Sequence, residues 1–315
     1  MAEGLRAAAS YDDIAKKRAG DMTSKESPFR FFNNYVKKRL IQFALDHLKY
    51  EAGCSSVKVL DLASGRGGDI GKWLYCQSPE LSFVTAKLPR DRLTKVSFLD
   101  CYDVSSECIA EARRRYKAIA SDAVCDCDCV FTVKDCFSDE FLRGQLPASE
   151  NFGKFDIVSI QFAFHYACGT LERIDMVMAA IAGALAPNGV FIATTVDDKV
   201  LAERVQRKQT ESSGLFSLCF DSGPVWEGDK LAVGTKYHFA LEGFVDCDEY
   251  VVPASYVCER AMHYGMEEVT EFSTTFQSLY EGYKKNRNIN KGRYLVGGAL
   301  ELVTLYRTFC FRKVG

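Results

Sequence analysis

The sequence predicts an α/β fold of Rossmann-like type, with a mostly parallel central sheet flanked by helices. Two observations carry this prediction. The first is a strand–turn–helix unit. Val57, Val59, Leu60 and Leu62 form an aliphatic run, Ser64-Gly65-Arg66-Gly67-Gly68 a tight turn, and Ile70, Trp73 and Leu74 the apolar side of a helix that starts near Asp69. The second is the order of elements across residues 57–195, where strand-like and helix-like segments alternate as a parallel sheet requires.

A glycine-rich turn between strand and helix is a nucleotide-type site. The backbone can pass close to a ligand, and the helix N-terminus adds donors and partial positive charge. The turn lacks the glycines of G-x-G-x-x-G and is not followed by Gly-Lys-Ser/Thr, so neither a dinucleotide fingerprint nor a Walker loop is present. Asp61, just before the turn, suits a cationic or polar ligand better than a pyrophosphate and points to S-adenosylmethionine.

Taken in order, residues 1–27 are polar and basic and read as an N-terminal arm. From Pro28 onwards Phe29, Phe32, Val36, Leu40, Phe43, Ala44 and Leu48 recur at helical spacing, predicting a helix that ends near Gly53. Asn33 and Asn34 are poor mid-helix residues, so they read either as a cap or, with Lys37, as ligand-facing groups. Pro79 and Pro89, with Lys87, Arg90, Asp91 and Arg92, read as an exposed insertion ahead of a second strand at 95–99 closed by Asp100. An acid there takes a cofactor's ribose hydroxyls in doubly wound folds. A third strand at 129–133 leads to Asp135, and a fourth at 155–160 delivers Gln161, His165 and Tyr166. A helix at 171–185 ends in Pro187-Asn188-Gly189, before a fifth strand at 190–195. Beyond it, strands are expected at 237–241, 250–252 and 302–311 and a helix at 253–264. Asp61, Asp100, Asp135 and Gln161 all fall at the carboxyl edge of the sheet, where such folds bind ligands.

With 315 residues, 47% of them apolar, the chain is large enough for a sizeable core, and no apolar stretch approaches the roughly 18 residues of a membrane span. The first residues carry no signal-type apolar segment, so the thirteen cysteines read as reduced thiols. Cys125, Cys127 and Cys129 lack zinc-knuckle spacing and a nearby histidine, and read as a loop entering a strand, with no metal expected. A net charge of −2 excludes a globally electrostatic nucleic-acid binder. The basic clusters at 16–18, 30–39, 113–115 and 284–293 read singly as solvated faces and together permit an anionic substrate.

Four motifs, FFNNYVKKRLI, VLDLASGRGGDIGKW, FDIVSIQFAFHY and GTKYHFALEGFVDCDEYVV, give the chain a further character. Together they resemble the eukaryotic messenger-RNA cap guanine-N7 methyltransferase family over nearly the whole chain. The resemblance implies a Rossmann-like class I methyltransferase with a cofactor-binding core at 28–195 and a cap-side β-rich insertion and C-terminal strands at 196–315. It implies S-adenosyl-L-methionine as cofactor, held by Lys37, Asp61, Ala63, Asp69, Asp100, Asp135, Gln161 and Tyr166. It implies cap binding by Asn33, Asn34, His165, Tyr166, Glu249 and Tyr306, with His165, Tyr166 and Glu249 positioning the base. A carboxylate such as Glu249 suits the N1–H and N2–H donors of guanine.

The resemblance further implies 5′-capped RNA (a GpppN end) as partner, an association with other capping enzymes, no membrane, and a location in the nucleus, with the cytoplasm as the alternative. The sequence departs from the family pattern at Ala63, Ser64, Tyr35 and Val196, and matches it poorly at 211–220. Guanine N7 carries no proton, so no general base is expected. Replacing Glu249 or His165 is then expected to lower activity without deleting a limb of the pH–rate profile. Methyl transfer to a small molecule or protein, and a non-catalytic cap-binding role, remain the alternatives.

Overall fold

In a computed structural model, which describes residues 9, 12, 28–75, 94–122, 126–209, 211–212 and 214–315, the aliphatic run forms strand β1 (Ser56–Leu62). Its alternating side chains enter two different cores. Val57 and Val59 pack with Leu40, Trp73 and Ile109, whereas Leu60 and Leu62 pack with Ile174, Val177 and Phe309.

Chain order begins α1 (Pro28–Tyr50), β1, α2 (Ile70–Tyr75), β2 (Lys95–Asp103), α3 (Ser106–Asp122), β3 (Asp128–Val133), β4 (Phe155–Gln161), α4 (Leu171–Ala184) and β5 (Leu185–Val196). It continues with α5 (Asp198–Gln206) and the short strands β6 (Glu211–Ser212), β7 (Phe216–Cys219), β8 (Trp226–Glu227) and β9 (Lys230–Leu231). β10 (Lys236–Leu241), β11 (Val245–Tyr250), α6 (Ala254–His263), β12 (Met266–Glu268), α7 (Phe276–Lys285), α8 (Arg287–Asn290), α9 (Gly298–Thr304) and β13 (Tyr306–Lys313) complete it.

Seven strands form one sheet in the order β12-β13-β5-β4-β1-β2-β3. The pairs among β1 to β5 are parallel; β13 runs antiparallel to β5 and to β12. Strand order reverses between β1 and β4, so the crevice for a ligand opens at the carboxyl ends of those two strands, where Asp61 lies opposite Ser159. A second, antiparallel sheet β11-β10-β7-β6 lies between α5 and α6 in sequence. It shares a core with α1, α7 and α9 through Phe29, Phe32, Tyr237, Phe239, Tyr280 and Val303.

Four expectations need correction. β2 runs on to Asp103, so Asp100 lies inside the strand and Asp103 closes it. Pro187-Asn188-Gly189 does not precede β5 but forms a bulge within it: Phe155 pairs with Leu185, Ile157 with Val190, and Asn188 takes φ 63°. Tyr250 ends β11 instead of starting a strand, because alternation already begins at Val245 opposite Leu241. Residues 302–304 belong to α9, and the last strand starts only at Tyr306. Pro28 opens α1, which places Asn33 and Asn34 inside the helix and not at its cap. The arm at 1–27, apart from residues 9 and 12, and the proline-bearing insertion up to residue 93 lie outside the described residues.

Candidate functional site

The first half of the site is built around the turn after β1. Ala63 adopts φ 55°, a left-handed conformation that costs an L-residue with a Cβ roughly 1 kcal/mol. The turn is tied to the end of β2: Ser64 N donates to Tyr102 O at 2.9 Å, and Gly65 N donates to Asp103 Oδ2 at 2.8 Å. Gly67 is sterically required. At φ 68°, a Cβ there would lie 2.4 Å from Ile70 Cδ1 and 2.9 Å from Ala112 Cβ.

The turn delivers Asp69 to two lysines, Lys37 Nζ at 2.8 Å from α1 and Lys72 Nζ at 2.6 Å from α2. Burial alone would raise the Asp69 carboxyl, but Lys37 and Lys72 override it and hold the group well below the usual carboxylate range. Asp61 has the opposite fate. Burial, then the charge of Asp69, pushes it up to about 7 against hydrogen bonds from Ser159 and Trp73. Asp100 is also buried. Its Oδ2 accepts from Tyr102 Oη at 3.1 Å, its Oδ1 has no partner among the described residues, and burial pushes it up to about 6. Gln161, at the end of β4, accepts from Thr194 Oγ1 at 3.2 Å and donates to Ser159 Oγ at 3.3 Å. Asp135 heads a turn, with Oδ1 accepting from Phe137 N at 3.0 Å.

The second half gathers residues from four distant segments. Immediately after β4, Phe162 takes φ 59° and donates its N–H to Thr194 O at 2.9 Å. His165 and Tyr166 follow in a 3₁₀ turn, Phe164–Ala167. Across β10 and β11, Tyr237 stands opposite Glu249, and its hydroxyl donates to Glu249 Oε2 at 2.7 Å. Glu249 Oε1 lies 3.4 Å from His165 Nε2. The imidazole is buried, neither ring nitrogen has a hydrogen-bond partner among the described residues, and burial pushes it down to about 3. Burial pushes Glu249 up to about 8, with the Tyr237 hydroxyl pulling the other way. Tyr166 Oη lies 2.9 Å from Cys247 Sγ, and burial followed by Glu249 pushes the Tyr306 hydroxyl upward.

Phe162 spans the two halves. Lys37 Nζ lies 5.9 Å from its ring centroid and the Tyr306 ring 5.1 Å away in an edge contact. The structure therefore joins Lys37, Asp61 and Asp69 around the turn, and His165, Glu249 and Tyr306 around β11. Asn33 shares a helix face with Lys37 four residues on, and its buried Oδ1 has no partner among the described residues, whereas Asn34 is exposed. Sequence reasoning missed Lys72, Phe162 and Tyr237. The signals for Lys72 and Tyr237 were present: Lys72 lies three residues after Asp69 on a helix, and Tyr237 has the inward parity of a strand reading KYHFAL. Nothing in the sequence announces a left-handed phenylalanine.

Among the described residues no cluster of metal-ligating side chains occurs, and no helix is long and apolar enough to cross a membrane.

A family model described as the mRNA (guanine-N(7))-methyltransferase domain matches residues 86–314, wholly beyond the glycine turn. The mRNA cap guanine-N(7) methyltransferase of Drosophila melanogaster is 27% identical over 309 residues, covering 91% of this chain and 62% of that protein. The mRNA cap guanine-N(7) methyltransferase 1 of Oryza sativa subsp. japonica is 30% identical over 308 residues, covering 90% and 74%. In fold, the chain is similar to an S-adenosylmethionine-dependent methyltransferase from Clostridium acetobutylicum, with a TM-score of 0.50 at 11% identity over 97% of this chain and 99% of that one.

Proposed function

The chain belongs to the mRNA (guanine-N(7))-methyltransferase family, and from that premise we propose that it transfers a methyl group from S-adenosylmethionine to N7 of the guanosine cap of RNA. The observation that carries the reading is the buried Tyr237–Glu249–His165 group beside Tyr306, joined through Phe162 to the Lys37–Asp69–Lys72 group at the glycine turn.

The residues at the turn fit the cofactor. Among the described residues Asp100 Oδ1 is a buried acceptor without a partner, suited to a ribose hydroxyl, and the turn at 63–67, left-handed at Ala63, Gly65 and Gly67, lets backbone approach a ligand closely. When bound, S-adenosylmethionine supplies an electrophilic methyl on a sulfonium. Everything else falls to the chain. Asp100 would hold the ribose, Gln161 ends β4 at the crevice, Asp135 follows β3 further along the same sheet edge, and Lys37 with Asp69 fixes α1 against the turn.

On the substrate side, guanine presents N1–H and N2–H to a carboxylate. Accepting both requires Glu249 to be ionised, and the Tyr237 hydroxyl favours that form by donating to Oε2. Anchoring this edge directs N7, on the opposite edge, away from Glu249. Phe162 and Tyr306 add aromatic surface that favours the cationic purine formed on methylation. N7 has no proton to lose, so His165, held neutral by burial, positions and does not act as a base. Rate enhancement then comes from proximity and alignment. The sequence has no K-x-D-G nucleophile motif and so no cue for the triphosphatase or guanylyltransferase steps of capping, which, where they accompany this reaction, reside on other chains or on a missing part.

The test is methyl transfer with GpppG compared with GTP and a 5′-triphosphate RNA. Turnover confined to GpppG supports the reading. Equal turnover on uncapped acceptors, or none on GpppG by folded protein, overturns it.

A further inference from the structure

We propose that the surface at 284–293 is a binding track for the single-stranded RNA that follows the cap, engaging its phosphates beyond the methylated nucleotide. The proposal rests on the cap-methylation reading for the end of the RNA that occupies the site, and goes beyond it in assigning a surface to the RNA body.

The segment KKNRNINKGR holds five cations and no acid in a chain whose net charge is −2, so the positive potential there is local. Its cations are exposed. Lys284 is taken by Glu281 at 2.8 Å. Among the described residues, Lys285, Arg287 and Lys291 carry no ion pair with a carboxylate. A solvated helix face in a soluble protein usually interleaves signs, as α3 does where Glu111 pairs with both Arg114 and Arg115. The basic segment does not. Arg293 is spread over the Phe31 ring, its guanidinium carbon 3.8 Å from the centroid, which leaves a flat cation on the surface. Tyr294 and Val296 beside it are 42% and 75% exposed, giving the aromatic and apolar contact that unstacked bases use.

Position links this surface to the site. α7 begins at Phe276, whose ring lies 6.0 Å from Phe162 and 5.7 Å from Tyr306, both at the site. It ends at Lys285, roughly 14 Å away at a 1.5 Å rise per residue. Packing of Phe32 against Tyr280 and Tyr283 fixes the helix to α1. A strand of RNA leaving the site along α7 therefore reaches unpaired cations within a few nucleotides.

The experiment compares GpppG with a capped 15-nucleotide RNA, measuring KM and its salt dependence for the wild type and for the triple variant K285Q/R287Q/K291Q. The wild type is expected to favour the long RNA by about tenfold at low salt, with the triple variant losing that preference and about two units of the log–log salt slope. Turnover on GpppG should be unchanged, which separates failure of this proposal from failure of the cap-methylation reading. The charge-conserving K285R/R287K/K291R should restore the preference. A wild type indifferent to RNA length, or a triple variant that keeps its preference and slope, overturns the proposal. The former outcome would leave the surface to a protein partner.

Discussion

Glu249 sets the pH behaviour at the scale of single residues. Its carboxyl is pushed up to about 8 by burial, yet the proposed contact with guanine needs it ionised. We therefore expect kcat/KM for GpppG to rise with pH through about 8, and this limb to vanish in Glu249→Gln, while kcat stays flat in the same range. This is opposite to the expectation from sequence that Glu249→Gln deletes no limb; the titrating group gates binding, not proton transfer. Tyr237→Phe should move the limb to higher pH, because the lost hydroxyl stabilised the carboxylate. An unmoved limb would leave Tyr237 a packing residue.

The same shift bears on stability. A carboxyl whose folded value exceeds its unfolded value of about 4.5 stabilises fully below that value and loses its contribution as pH rises toward about 8. Glu249→Gln should accordingly flatten the fall in melting temperature over that window. At Ala63, replacement by Gly relieves the left-handed strain but loosens the unfolded chain. The expected net gain is up to about 1 kcal/mol, read from a denaturant midpoint. A loss there would mean that the Ala63 methyl makes packing contacts worth more than the strain.

The turn and its flanking helices act as one element. Gly67→Ala meets the side chain of Ile70 and the backbone of α3 at once, in a left-handed conformation, and should cost about 2 kcal/mol or more. Lys37→Met leaves Asp69 with Lys72 alone. Losing one charge-assisted hydrogen bond at a buried acid should cost about 1.5–3 kcal/mol by denaturant midpoint. Because the Asp69 carboxyl is depressed in the folded protein, its contribution is present above its ordinary value of 3.8 and is lost as pH falls below that; wild type and variant should converge in acid.

These elements also show what the sequence could disclose. β1 and β4 were legible because both faces of a parallel strand are buried and the run is almost wholly apolar. β11 was misplaced because VDCDEY alternates acids with Cys247 and Glu249, and the inward carboxyl disguises the buried face. The start of β13 was misread because Leu302 and Val303, apolar in a strand-like row, are the buried side of α9. In the candidate site, Asp61, Asp69 and His165 are singled out by motif and position, whereas Tyr237 comes beside Glu249 and Lys72 beside Asp69 only through register and helical spacing.

At the scale of the whole molecule, the two halves of the candidate site, one at the glycine turn and one around β11, are assembled by different means. The turn, α2 and β1 are contiguous in sequence. His165, Glu249 and Tyr306 are brought together only when β13 joins β5 and the second sheet closes over the 3₁₀ turn. The most direct test uses S-adenosylmethionine labelled in its methyl group, the intact protein and a GpppG-capped RNA, followed by digestion and identification of the labelled nucleoside. The label is expected in 7-methylguanosine released from the cap, at a rate strongly reduced by Glu249→Gln. Label on another atom of the RNA or on protein, or no transfer by correctly folded protein, would contradict it.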